Sequence, residues 1–152
     1  MTEARTYFEL HAEMKALAAK DGETLPPVTR LLSRSLEERQ AKSIDRIFRM
    51  LALQYPPKEM YSAYLAVKGR RQQEVTAALE FLDNVVDREV KRILIPLLDS
   101  PSHLAQRGKE LFGVEAKSIE SAIRELILTG DPWLAPCAQA AASELNVRTA
   151  LA

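Results

Sequence analysis

The prolines and glycines of this chain fall between segments of helical periodicity, and their spacing repeats. Helix starts are read near Pro57, Asp87 and Ser118, at steps of 30 and 31 residues. Ser100-Pro101 and Asp131-Pro132, which open the intervening helices, are again 31 apart. Each of these two places a capping side chain before a proline, which the first helical position tolerates because its missing N–H has no partner there. A recurrence near thirty residues, with two antiparallel helices per unit, is the signature of an α-solenoid. The regular period favours that arrangement over a compact bundle.

The apolar residues supply the faces. Tyr7, Leu10, Met14, Leu17 and Ala18 share one side of a first helix over about Glu3 to Lys20, which Asp21-Gly22 stops. Leu36, Ile44, Ile47, Phe48 and Leu51 mark a longer second helical region from Pro26-Pro27 to about Gln54, closed by Pro56-Pro57. Shorter helices follow, with stripes Met60/Tyr61/Tyr64/Leu65, Val75/Ala78/Leu79/Leu82 and Val90/Ile93/Leu94/Leu97, then one from Ser100 to Phe112. Ile119, Ala122, Ile123, Leu126 and Ile127 mark a seventh, and a last one runs from Asp131 to Leu145. Strand-like alternation is nearly absent. The expected fold is therefore all-α, about eight helices in one domain. Residues 1–56 form a longer N-terminal pair, 57–145 three short pairs and 146–152 a tail. Pro96, inside an apolar helical pattern, should kink its helix.

Composition narrows the function classes. Lysine plus arginine equal aspartate plus glutamate at 21 each, whereas a dedicated nucleic-acid binder carries a basic excess. One cysteine forms no internal disulfide, and two histidines far from it give no metal-ligand spacing. No apolar run approaches a membrane span, and the acidic N-terminal segment does not read as a secretory signal. The expectation is a soluble, cytoplasmic protein without metal or cofactor.

Two stretches resemble a known family. GDPWLAPCAQAAASEL resembles the second helix of a HEAT repeat, with its Asp-Pro start, Trp, and small residues at neighbour-facing positions. RLLSRSLEERQAKSIDRIFRMLALQYPPKEMYSAY, followed by ALEFLDNVVDREVKRILIPLLD, resembles the HEAT-repeat region of bacterial nucleotide-translocase (ATP/ADP carrier)-like membrane proteins. Together they cover about Arg30 to Leu145. The resemblance implies a HEAT-like solenoid and a non-enzymatic interaction or regulatory module, the soluble domain of such a membrane protein or a free relative. No transport residue carries over.

Candidate sites follow from residue types. Cys137 sits four residues from Trp133 with no Lys, Arg or His between Gly130 and Val147 to lower its pKa, so it reads as a buried filler. Pro136 comes one residue too late for the tolerated positions if Asp131 is the cap, so that turn should be distorted. Asp83, Asn84 and Asp87 read as turn and cap residues, His11 and His103 as ordinary surface or capping side chains, and Tyr55, Tyr61 and Tyr64 as corner packing. Arg39, Lys42, Arg46 and Arg49 form a basic stripe that anionic lipid, nucleotide or nucleic-acid phosphate would suit, although Glu38/Lys42 and Asp45/Arg49 also pair at spacing four. Solenoids bind along their second helices, which nominates Arg70, Gln73, Glu80 and Asn84, then Gln106, Arg107, Gln139 and Ser143. Their mixed polarity suits a protein or peptide partner better than nucleic acid. The alternative class is a nucleic-acid-binding HEAT-like protein, of the DNA glycosylase kind.

Overall fold

The computed structural model describes residues 2–18, 24–98 and 100–148. Asp21-Gly22 and the end of the tail lie outside them. Among the described residues the chain is all-α, in eight helices: α1 Thr2–Leu17, α2 Pro27–Gln54, α3 Pro57–Gly69, α4 Gln72–Val85, α5 Arg88–Leu97, α6 Leu104–Phe112, α7 Ile119–Leu128 and α8 Leu134–Glu144. Among the described residues no cis peptide bond occurs.

The punctuation acts largely as its chemistry requires. Pro27 and Pro57 sit at the first positions of α2 and α3. Ser118 caps α7, its hydroxyl accepting from the Ser121 N–H at 3.1 Å. Gly113 ends α6 at φ 67°, in the left-handed region where a side chain is disfavoured. Arg70 adopts φ 56° there instead, so α4 begins two residues later than its pattern suggests. α5 ends one residue after Pro96, so the proline falls in its last turn.

The two Asp/Ser-Pro starts behave differently from expectation. Residues 101–103 and 132–133 form turns, and the regular helices begin at Leu104 and Leu134. At the second, Asp131 still caps: its Oδ1 accepts from the N–H groups of Trp133 (2.9 Å) and Leu134 (2.8 Å). The late start puts Pro136 within the first turn of α8, where its missing donor costs nothing. The expected distortion is this displaced start. Asp87 stands at the N-cap position of α5 without a side-chain capping bond; its carboxylate instead receives the Tyr55 hydroxyl at 3.0 Å.

The long α2 organises the molecule. At 28 residues it is about 42 Å long, more than the 16-residue α1 beside it can cover. The two run antiparallel, since Glu3 pairs with Arg46 and Gln40 donates to the Tyr7 carbonyl. Two apolar clusters then form at opposite ends of this pair. The first joins Ala4 and Phe8 of α1 and Ile47, Phe48 and Leu51 of α2 to Met60, Leu82, Leu94, Leu97 and Leu104 from α3–α6. The second joins Leu10 and Leu17 of α1 and Leu32 and Leu36 of α2 to Ile123, Leu126, Leu134, Ala138 and Ala141 from α7 and α8. The N-terminal pair is therefore shared by both clusters.

Contacts between successive helices include α2 on α3, α3 on α4, α4 on α5, α5 on α6 and α7 on α8. Others cross that order: α1 touches α5, α6 and α7, and α8 lies back along α2. An unbranched stack of pairs does not by itself account for these contacts.

Candidate functional site

The return of α8 onto α2 is fixed by polar groups at both ends. The N-terminus of α2 is opened by Pro26, which offers no capping side chain, so its first N–H groups need an outside acceptor. Glu144, at the end of α8, supplies it: its carboxylate accepts from Val28 N–H at 3.0 Å, Thr29 N–H at 2.9 Å and the buried Thr29 hydroxyl at 3.0 Å. Desolvation pushes the Glu144 carboxyl up, but the hydrogen bonds from Thr29 and Val28 outweigh it and hold the group below its ordinary value. At the other end Arg39 pairs with Asp131 at 2.8 Å, and the Trp133 indole N–H donates to Ser35 at 3.0 Å. The backbone N–H groups of Leu134 and Trp133, and then Arg39, hold the Asp131 carboxyl low.

These contacts place several sequence candidates. Cys137 is buried on this seam, and desolvation pushes its thiol up, away from the reactive range. Trp133 shares the seam through its N–H yet remains 53% exposed. In the basic stripe, Arg39 is engaged with Asp131, Arg46 with Glu3 at 3.3 Å and Arg49 with Asp45 at 2.9 Å. Lys42 is exposed. Three of the four cations thus already face carboxylates, which leaves little field for a polyanion.

The polar stripe of the second helices is not one surface. Arg70 ends α3; Gln73, Glu80 and Asn84 lie exposed on α4; Gln106 and Arg107 on α6 each bond Glu110; Gln139 and Ser143 lie exposed on α8. Among the described residues α4, α6 and α8 make no contact with one another. The eight positions are therefore brought together only within helices. Among the described residues no group of three or more His, Cys, Asp or Glu side chains is placed to hold a metal ion, and no helix is long and apolar enough to cross a membrane.

The structure offers a different concavity. The α3–α4 hairpin buries only Met60, Ala63, Ala78 and Leu82, and among the described residues α4 touches no helix besides α3 and α5. Between α3 and α4 runs an open groove of about 530 Å³. Ala63 and Ala66 of α3 and Ala77, Ala78 and Phe81 of α4 form its apolar floor; Lys58, Glu59, Ser62 and Glu74 form its rim. Small residues at these positions leave the backbones close and the trough unfilled. The sequence pattern, which centres the outward face of α4 on Gln73, Glu80 and Asn84, does not single out Phe81. The signal was the Ala77/Phe81 pair at spacing four, facing Ala63 and Ala66 on the preceding helix. Outside the groove, α3 exposes Tyr61 and Leu65, and α2 exposes Met50 and Leu53.

Comparison with known protein families, with curated proteins and with solved structures finds no match to this chain.

Proposed function

We propose that the protein is a non-enzymatic interaction module that receives an amphipathic helix of a protein partner in the α3–α4 groove. The observation that carries this reading is the groove itself: an apolar trough of small residues with a charged rim, on a hairpin that buries only four of its side chains. A helix laid in such a groove buries its own apolar face at i, i+3, i+4 and i+7. The rim adds register: Lys58 suits an acid on that helix, and Glu59 and Glu74 suit bases.

The resemblance of residues 130–145 to a HEAT-repeat helix, and of residues 30–64 and 78–99 to the HEAT-repeat region of nucleotide-translocase-like membrane proteins, supports a scaffold or regulatory role within this reading. The nucleic-acid reading is disfavoured by the balanced charge and by the engaged arginines of α2.

The test uses a photo-crosslinker placed at Ser62 on the groove rim, in cells of the source organism. The reading expects one partner segment to be captured, and Ala77→Glu to abolish that capture while circular dichroism is unchanged. Gln139→Glu, on α8, should leave it intact. Capture that survives Ala77→Glu refutes the groove. Filter binding of duplex DNA at low salt would instead support the nucleic-acid class.

A further inference from the structure

Glu13 of α1 is a carboxylate within the core, 8% exposed. Its Oε1 lies 3.6 Å from Nζ of Lys117, in the connection between α6 and α7. The same ammonium hydrogen-bonds Glu125 of α7, whose other oxygen accepts from the Ser121 hydroxyl at 3.5 Å. Three chain segments thus bring two carboxylates to one ammonium. Among the described residues α6 and α7 do not touch, so the connection that carries Lys117 is fastened to α1 at this point. Beside it lies a cavity of about 190 Å³ between α1, α6 and the connection, with Lys117 in its wall.

One ammonium neutralises one carboxylate. Glu125 is half-exposed and makes the closer contact. Glu13, buried and farther from the nitrogen, is left as the excess charge, and a buried excess charge is relieved by taking up a proton. We propose that Glu13, Lys117 and Glu125 form a pH-sensitive fastener between α1 and the connection to α7, closed while Glu13 is protonated and loosened when it ionises.

Burial pushes the Glu13 carboxyl up to about 7; Lys117 opposes this, and Glu125 and then Glu9 on α1 itself reinforce it. The wall of the cavity also carries His11, Lys15 and Glu115; burial and then Lys15 hold the His11 imidazole below its ordinary value, so its contribution rises with pH, opposite in sign to that of Glu13. α2 contributes the non-ionising Leu32 and Leu36 to the same end of the pair. α6 offers Leu104 and Gly108 to the shared cavity and keeps Arg107, Lys109 and Glu110 exposed. α5 buries Leu94 and Leu97 and pairs Lys91 with Asp83. A folded value above the unfolded one makes the contribution of Glu13 to stability complete below about pH 4.5 and lost as pH rises through about 7.

The experiment is a carboxyl-carbon NMR titration of Glu13 in the whole chain, with urea unfolding from pH 5 to pH 8. The wild type should titrate near neutrality and lose stability across that range, with faster amide exchange at 114–117 than the rise in pH alone causes. Glu13→Gln should abolish that fall. Two neighbours give opposite shifts: Lys117→Met raises the Glu13 midpoint, because it removes the cation, and Glu125→Gln lowers it, because the remaining pair is neutral. A Glu13 midpoint near 4.5, or the same slope in Glu13→Gln, overturns the proposal. Should Glu13→Gln fail to fold, the wild-type titration decides alone.

Discussion

The sharing of α2 between two apolar clusters predicts how the molecule unfolds. Leu82 lies in the first cluster, fully enclosed. Leu82→Ala removes three heavy atoms and leaves a cavity, at a cost of about 3 to 5 kcal/mol for a leucine this buried. For a chain of this length each kcal/mol lowers Tm by about 2 to 4 °C, so the variant should melt roughly 10 °C below the wild type. The informative quantity is where the loss is seen. Trp133 sits on the α2–α8 seam, at the second cluster, and reports by fluorescence. Far-ultraviolet circular dichroism reports all the helices. If the 28-residue α2 transmits the loss, both probes shift together in one transition. If Trp133 fluorescence keeps its wild-type midpoint while about half of the helical signal melts early, the two clusters unfold separately. The reading of α2 as their shared element would then be refuted.

Other substitutions test local arguments. A Cβ added to Gly108 would stand 3.0 Å from Cβ and Cδ1 of the enclosed Phe8. Overpacking there should outweigh the helical gain over glycine, so Gly108→Ala should lose about 1 kcal/mol by urea unfolding. Cys137→Ser places a hydroxyl in the apolar seam and should cost about 1 to 2 kcal/mol while leaving any partner binding intact; the native thiol should react with a disulfide reagent far more slowly than the unfolded one. Asp131 and Glu144 have folded values below their unfolded ones, so their contribution is present above about pH 4 and lost as pH falls through the folded values. Acid titration by circular dichroism should therefore show unfolding below that point, and Glu144→Gln should flatten the acid limb.

The helices were legible because their signals are local. Proline at the first position of α2 and α3, Ser118 before α7 and the apolar steps within each segment act over one or two turns. The seam was not legible. Glu144 and Thr29 are 115 positions apart and Arg39 and Asp131 are 92 apart, and no periodicity relates such pairs. An arginine stripe opposite an apolar face reads as solvated or anion-binding; only the returning α8 shows that one arginine answers a cap. Glu13 was hidden for a similar reason. A glutamate within an amphipathic helix reads as surface, and its burial depends on a connection a hundred residues downstream. The α3–α4 groove was partly visible as alanines, but which face of α4 they line is set by where α5 packs.

The seam also bears on how the chain is made. α2 leaves the ribosome before α8, and the helix that covers Leu32 and Leu36 is complete only after about ninety further residues. At ordinary synthesis rates that interval is about 5 to 20 seconds. Throughout it, the N-terminus of α2 lacks the Glu144 carboxylate and its two leucines lack α8. The nascent chain thus passes through a period in which its first half is helical in pattern but incompletely covered, and in which a chaperone or a second nascent copy would find the vacancy that α8 later closes.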